Sequence, residues 1–255
     1  MLVSKQALAP SLSPNVASFA SSDFSNASEV RCIVRVCIFV FMICVPSPTS
    51  GRVQVITKRS IKLPMTRHDQ SRVHDLLNNK PADQVLVDSF NIQLTSSTLE
   101  CLKPRHWLND EVINFYMQLL QAHSLSNLIS PAGHPTHLKC HFFNSFFFTK
   151  LAQNDEYCYD NVRRWSKRAK VCISKLDLVL VPVHVQEDHW CCACINVLEK
   201  RFEYYDIQGE SNPQCLQFLR WYVADEVETY EPDIKVDMSE WTDSSHTAIS
   251  DTRNM

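Results

Sequence analysis

His189 and Asp206 are the residues of this 255-residue chain whose types and spacing point most directly to chemistry. His189–Ile195 and Phe202–Asp206 are extended runs flanking a short turn, the signature of a β-hairpin. A turn centred between Val197 and Leu198 sets His189 directly opposite Asp206, with Cβ atoms about 5 Å apart. A carboxylate so placed accepts a hydrogen bond from the imidazole, fixes its tautomer and steadies the imidazolium. That is what an acidic residue does for a histidine base in nucleophilic catalysis. Moving the turn by half a residue breaks the alignment. From pattern alone, a surface ion pair at a hairpin end is the commoner reading, because ordinary ion pairs outnumber active sites.

The other chemistry-bearing residues are cysteines and histidines. Eleven cysteines, an odd number at irregular spacing, read as reduced thiols of a nuclear or cytosolic protein rather than a disulfide framework. Two groups are crowded: His134, His137, Cys140 and His141, and then Cys191, Cys192 and Cys194. Neither group gives a clean match to two Cys-x-x-Cys knuckles or to a helical His-x-x-x-His, the usual marks of a zinc site. In a strand, alternate residues face opposite sides, so only Cys192 and Cys194 share a face. Buried free cysteine behaves as a small hydrophobe. The sequence therefore assigns no metal ligand and no cofactor. Three glycines in the whole chain exclude the glycine-rich phosphate loops of nucleotide sites. A net charge of −3 is too mild to imply nucleic acid. Residues 199–255 hold 13 acidic and 5 basic side chains, a net of −8, which leaves +5 on the first 198. The acidic end reads as a solvated or partner-facing region.

These residues need elements to position them. Asn109 is a suitable helix cap, and Asp110 and Glu111 in the first turn suit the helix dipole. Val112, Ile113, Tyr116, Leu119 and Leu120 form an apolar stripe, so the spacing predicts a helix over 109–120. Thr95 is placed to cap a short helix over 96–102, stopped by Pro104. Asn144 can cap another short helix within the run His141–Leu151. The five phenylalanines of that run are too many for one narrow stripe, so at least one is expected to face a groove or partner. Arg163–Arg168 reads as a helix with a solvated cationic face. Leu176–Val185 is continuously apolar, as in a buried strand. Cys215 reads as a packing residue of a helix over 215–222.

The first quarter of the chain is different. Residues 1–30 are rich in serine and alanine without periodicity, and they include the sequon Asn26-Ala27-Ser28. Residues 36–45 are continuously apolar, but Arg35 prevents extension to the roughly 20 residues of a membrane span. A basic stretch, Arg52–Arg72, reads as a linker. The expected organisation is a poorly ordered region over 1–82, a folded domain over 83–241 and an unstructured, divergent tail over 242–255. Nucleus or cytoplasm is the expected location, and membrane association through 36–45 is the minor alternative.

Several of these segments also carry a family resemblance. Trp107-Leu108-Asn109-Asp110-Glu111-Val112-Ile113-Asn114-Phe115-Tyr116 resembles the signature helix of the sentrin/SUMO-specific proteases, cysteine proteases that process ubiquitin-like proteins. The likeness continues through Phe143–Leu151, Val162–Lys167, Leu180–His184, His189-Trp190 and Tyr204–Asp206, and so covers about residues 83–241. The resemblance implies an α+β, papain-like fold, a mixed sheet flanked by helices. It implies that SUMO, or another ubiquitin-like protein with its conjugates, is the partner. It makes His189 the general base of a Cys-His-Asp triad and Asp206 its orienting carboxylate. Trp107 and Trp190 would sandwich the Gly-Gly tail of the modifier, because a narrow aromatic tunnel selects residues without side chains. Asp110 and Phe146 match positions that touch the body of the modifier.

The resemblance departs at the nucleophile. The family places its cysteine in a Gly-x-Asp-Cys-Gly segment at the start of a central helix, where the dipole favours thiolate, with a glutamine nearby as oxyanion donor. Nothing after Asp206 reads Asp-Cys-Gly, and the one later cysteine is Cys215. The expectation is a catalytic domain that lacks the part containing the central helix. The resemblance implies membership of a SUMO-specific protease family, which matures precursors and cleaves isopeptides, with this chain itself expected to be inactive. A non-catalytic SUMO-binding decoy is the alternative.

Overall fold

Apolar side chains recur at two periods in this chain, and they close around a five-stranded sheet. The computed structural model describes residues 66–103, 106–127, 139–185, 189–206 and 208–247. The expectations for residues 1–65, including the sequon and the apolar run 36–45, lie outside the described residues, as do His134, His137 and residues 248–255.

The first described element, α1 (Arg67–Asn78), precedes the expected domain start at 83. Its polar surface makes it read as linker, but Thr66 and Asp69 close a reciprocal capping box at its start. Its buried Leu76 packs with Leu94, Leu99, Val112 and Phe115. Next come the antiparallel strands β1 (Val85–Ser89) and β2 (Ile92–Thr95) and a single 3-10 turn, Thr98–Leu102. The Thr95 hydroxyl accepts from the Thr98 amide at 3.2 Å, so the expected cap is present on a shorter element. Helix α2 (Asp110–Asn127) runs seven residues past the expected end. Asn109 caps it, accepting the Val112 amide at 2.9 Å.

The main sheet has the order β3-β4-β5-β6-β7: β3 (Cys140–Phe142), β4 (Leu178–Val185), β5 (His189–Asn196), β6 (Arg201–Asp206) and β7 (Thr242–Thr247). The outer pairs β3/β4 and β6/β7 are parallel, and the inner two pairs are antiparallel. On one face Val181, Val183, Cys191, Ala193, Ile195, Phe202 and Tyr204 meet α3 (Phe146–Leu151), α4 (Trp165–Ala169) and α5 (Pro213–Tyr230). Phe147 is fully buried there and stacks on Phe143 with centroids 3.7 Å apart. Burying side chains of this size stabilises by about 1.5–3 kcal/mol each. Of the five phenylalanines, Phe146 is the one left half-exposed. The opposite face of the sheet carries Leu178, Leu180, Cys192 and Cys194, and Phe142 and Trp190 join the α2 residues Ile113, Tyr116 and Met117.

Strand β7 departs from the expected unstructured tail over 242–247. Its residues are polar and show no apolar alternation, so the sequence pattern gives no strand signal. Pairing comes from the backbone instead, in parallel register from Arg201↔Thr242 to Asp206↔Thr247. The strand is also tied to α5. Arg220 reaches the Met238 and Trp241 carbonyls and the Asp243 carboxylate, while the buried Trp241 ring packs at a tilt against Phe202.

Candidate functional site

The β5–β6 hairpin differs from its expected register by two residues. Its pairs run from Asn196↔Arg201 to Cys192↔Tyr205, so the loop is the four residues Val197–Lys200. Neither Val197 nor Leu198 suits the left-handed backbone of a two-residue hairpin turn. Asn196 starts the loop instead: its side-chain oxygen accepts the Glu199 amide at 3.0 Å, and its side-chain amide donates to buried Glu203 at 3.1 Å. Continuing that register puts Cys191, not His189, opposite Asp206. Because side chains alternate with period two, His189 stays on the same face as Asp206, one diagonal step away.

The diagonal step closes the pair. His189 Nε2 lies 2.7 Å from Asp206 Oδ1, with both residues buried. The same carboxylate oxygen accepts the backbone amide of Gln208 at 2.8 Å. A carboxylate accepting at Nε2 makes that nitrogen the protonated one and leaves Nδ1 with a lone pair. The Gln208 side-chain amide, on an exposed residue, donates to Nδ1 at 3.3 Å.

Trp107 stands at the open side of the pair. It is 56% exposed, and its ring meets the His189 imidazole edge-on at 5.9 Å. An aromatic ring so exposed is not packing the core. Trp190 is on the opposite face of β5 from His189. It is anchored by its indole N–H to the Leu108 carbonyl at 2.8 Å and lies over His184. One short segment, 107–108, therefore links both tryptophans to the start of α2, where Asp110 occupies the first turn, half-buried. Phe146 opens α3, whose start is bound to α2 through the Ser145 amide and the Asn114 side chain at 2.7 Å. Among the described residues, no hydrogen bond, ion pair or ring contact joins Asp110 or Phe146 to His189.

The thiols divide by face. Cys192 and Cys194 share the side of the sheet away from the pair. Cys191 was expected only as part of a cysteine cluster; it is instead turned toward His189 and Asp206, and donor atoms of the three lie within 4.8 Å of one another. Strand alternation puts Cys191 on the face of His189, and the hairpin register then sets it directly opposite Asp206. Burial pushes the Cys191 thiol up to about 11, the reverse of what a nucleophilic cysteine needs. Cys215 is fully buried in α5, and desolvation raises its thiol far above the ordinary range. Of the other crowded group, Cys140 and His141 point to opposite faces of β3, and burial holds the His141 imidazole down to about 4. Among the described residues no helix is long and apolar enough to cross a membrane. A cavity of about 560 Å³ lies between α4 and the end of α5, lined by Arg163, Arg164, Lys167 and Arg168, and includes none of the residues of the pair.

The domain is α+β, with a mixed five-stranded sheet and a His–Asp pair at the end of its central hairpin. The chain belongs to the Ulp1 protease family: the family's C-terminal catalytic domain matches residues 106–255. It is 36% identical over 191 residues to Ubiquitin-like-specific protease 1A of Arabidopsis thaliana, covering 73% of this chain and 36% of that protein. It is 32% identical over 183 residues to Sentrin-specific protease 2 of Homo sapiens, covering 72% of this chain and 28% of that protein. The chain thus spans about a third of the length of these two relatives. The X-ray structure of the C-terminal Ulp1 protease domain in complex with Smt3, the yeast ortholog of SUMO, is similar at 27% identity and a TM-score of 0.56, over 71% of this chain and 73% of that one.

Proposed function

We propose that this chain is the modifier-recognising, base-bearing part of a SUMO-specific cysteine protease, and that its own 255 residues do not turn substrate over. The observation that carries the reading is the buried His189–Asp206 hydrogen bond beside the exposed ring of Trp107. In such a protease, Asp206 holds Nε2–H, so Nδ1 is the atom that takes the proton of an attacking thiol. Gln208 is displaced from Nδ1 when a thiol is presented there. The imidazolium that forms is stabilised by Asp206 and later returns its proton to the leaving amine. Trp107 and Trp190 line the path of a Gly-Gly tail, and Asp110 and Phe146 contact the body of the modifier.

The described sulfurs support the inactive reading. Among the described cysteines, the one beside His189 is Cys191, which is 2% exposed and shares the face of Asp206. A modifier carbonyl has no approach to it. The half-exposed Trp107 and Phe146 favour a second reading, a binding protein that occupies SUMO without cleaving it.

Incubating the folded chain with SUMO bearing a C-terminal thiol-reactive group, followed by intact-mass measurement, tests the proposal. The expected result is no adduct. A single adduct that disappears in the His189→Ala chain would show an activated thiol and overturn the inactivity.

A further inference from the structure

The three groups His189, Cys191 and Asp206 combine an imidazole, a thiol and a carboxylate on one face of the β5–β6 hairpin. All three are buried, and their donor atoms lie within 4.8 Å of one another. That is the mixed nitrogen, sulfur and oxygen set that suits zinc, whose ligands sit at about 2.0–2.3 Å in a tetrahedron. The geometry points to a divalent transition-metal site at His189, Cys191 and Asp206, taking Zn²⁺ or Co²⁺ and closing the His–Asp pair when filled. The site depends on the placement of these three side chains and not on the protease reading.

Charge balance supports it. A dication bound by one thiolate and one carboxylate is neutral overall, so the filled site places no net charge in the core. Binding releases one proton, from the Cys191 thiol, to solvent. The proton on His189 Nε2 moves to Nδ1 as the imidazole changes tautomer, which frees Nε2 for the metal. Gln208, already 3.3 Å from Nδ1, then turns its amide to offer the oxygen to Nδ1–H. An outer hydrogen bond of this kind orients a ligating histidine. Three protein ligands leave the fourth position to water. Cys192 and Cys194, on the opposite face, take no part.

A filled site would occupy Nε2 and Asp206 together, so metal would compete with any action of the pair as a base. The test uses the full chain, with folding verified by circular dichroism, titrated with Co²⁺ and then with Zn²⁺ in competition. The expected result is one equivalent bound with a thiolate-to-cobalt charge-transfer band, which Zn²⁺ bleaches. Cys191→Ser removes the band and Cys192→Ser leaves it, and His189→Ala weakens Zn²⁺ by at least ~10-fold. No band in the folded wild-type chain, or a band that survives Cys191→Ser, overturns the site. SUMO binding is measured separately on the metal-free chain: loss of metal binding with SUMO binding intact removes this inference alone, and the converse removes only the protease reading.

Discussion

His189 and Asp206 meet diagonally across the β5–β6 hairpin, at 2.7 Å, two residues out of the direct register that would oppose them. The carboxylate reaches the imidazole because a two-residue shift preserves the face, whereas a one-residue shift would have put the two groups on opposite sides of the sheet. The four-residue loop Val197–Lys200 sets this relationship, and Asn196 sets the loop.

Asn196→Ala is therefore expected to loosen the hairpin. It removes the acceptor for the Glu199 amide and leaves buried Glu203 short of one donor. The expected cost is about 1–3 kcal/mol in denaturant unfolding. Amide exchange in β5 and β6 is expected to rise with it. An unchanged midpoint would show that the loop does not depend on this side chain.

The layer behind the hairpin rests on Phe147. It has no exposed surface and contacts Phe143, Trp165 and Tyr222. Phe147→Ala is expected to destabilise the domain by about 3–5 kcal/mol. Phe146→Ala, one position away and half-exposed, is expected to stay within about 0.5 kcal/mol of wild type. Equal losses in chemical denaturation would contradict the assignment of these neighbours to inside and outside.

His141 gives the fold an acid sensitivity. Its imidazole is buried against Phe143, and desolvation holds it down to about 4 from the ordinary 6.5. The folded state thus binds fewer protons than the unfolded one between these values. Stability from this group is fully present above about 6.5 and is lost as pH falls toward about 4. The wild-type chain is expected to lose up to about 3 kcal/mol across that window through His141. His141→Gln is expected to flatten that part of the curve, measured by urea unfolding at a series of pH values. A parallel pair of curves would rule His141 out as the cause.

Much of this arrangement is legible in the amino-acid sequence, and the residues show why. Asn109, Asp110 and the stripe Val112–Leu120 announced α2, because capping and helical period are local properties. The apolar run of β4 and the faces of Cys192 and Cys194 followed from strand alternation. The pairing of His189 with Asp206 was visible as a shared face but not as a register, since loop length depends on an Asn196 side chain that competes with the strand ladder. Helix α1 was missed because one buried leucine is a weak signal, although its capping box could have revealed it. Strand β7 was missed because its polar residues are held by backbone pairing and by Arg220. The face of Cys191 follows from alternation, but its place opposite Asp206 needs the true register, and the contact of Trp107 with His189 needs the tertiary fold.

The most direct measurement is calorimetric titration of mature SUMO, with its C-terminal Gly-Gly, into the folded, metal-free chain. Binding in about the micromolar range is expected, weakened at least ~10-fold by Trp107→Ala. The thermal unfolding of that variant is expected to match wild type, because the ring is exposed. No heat of binding from a folded chain, or equal affinity in the Trp107→Ala chain, would contradict modifier recognition at the His189–Asp206 site.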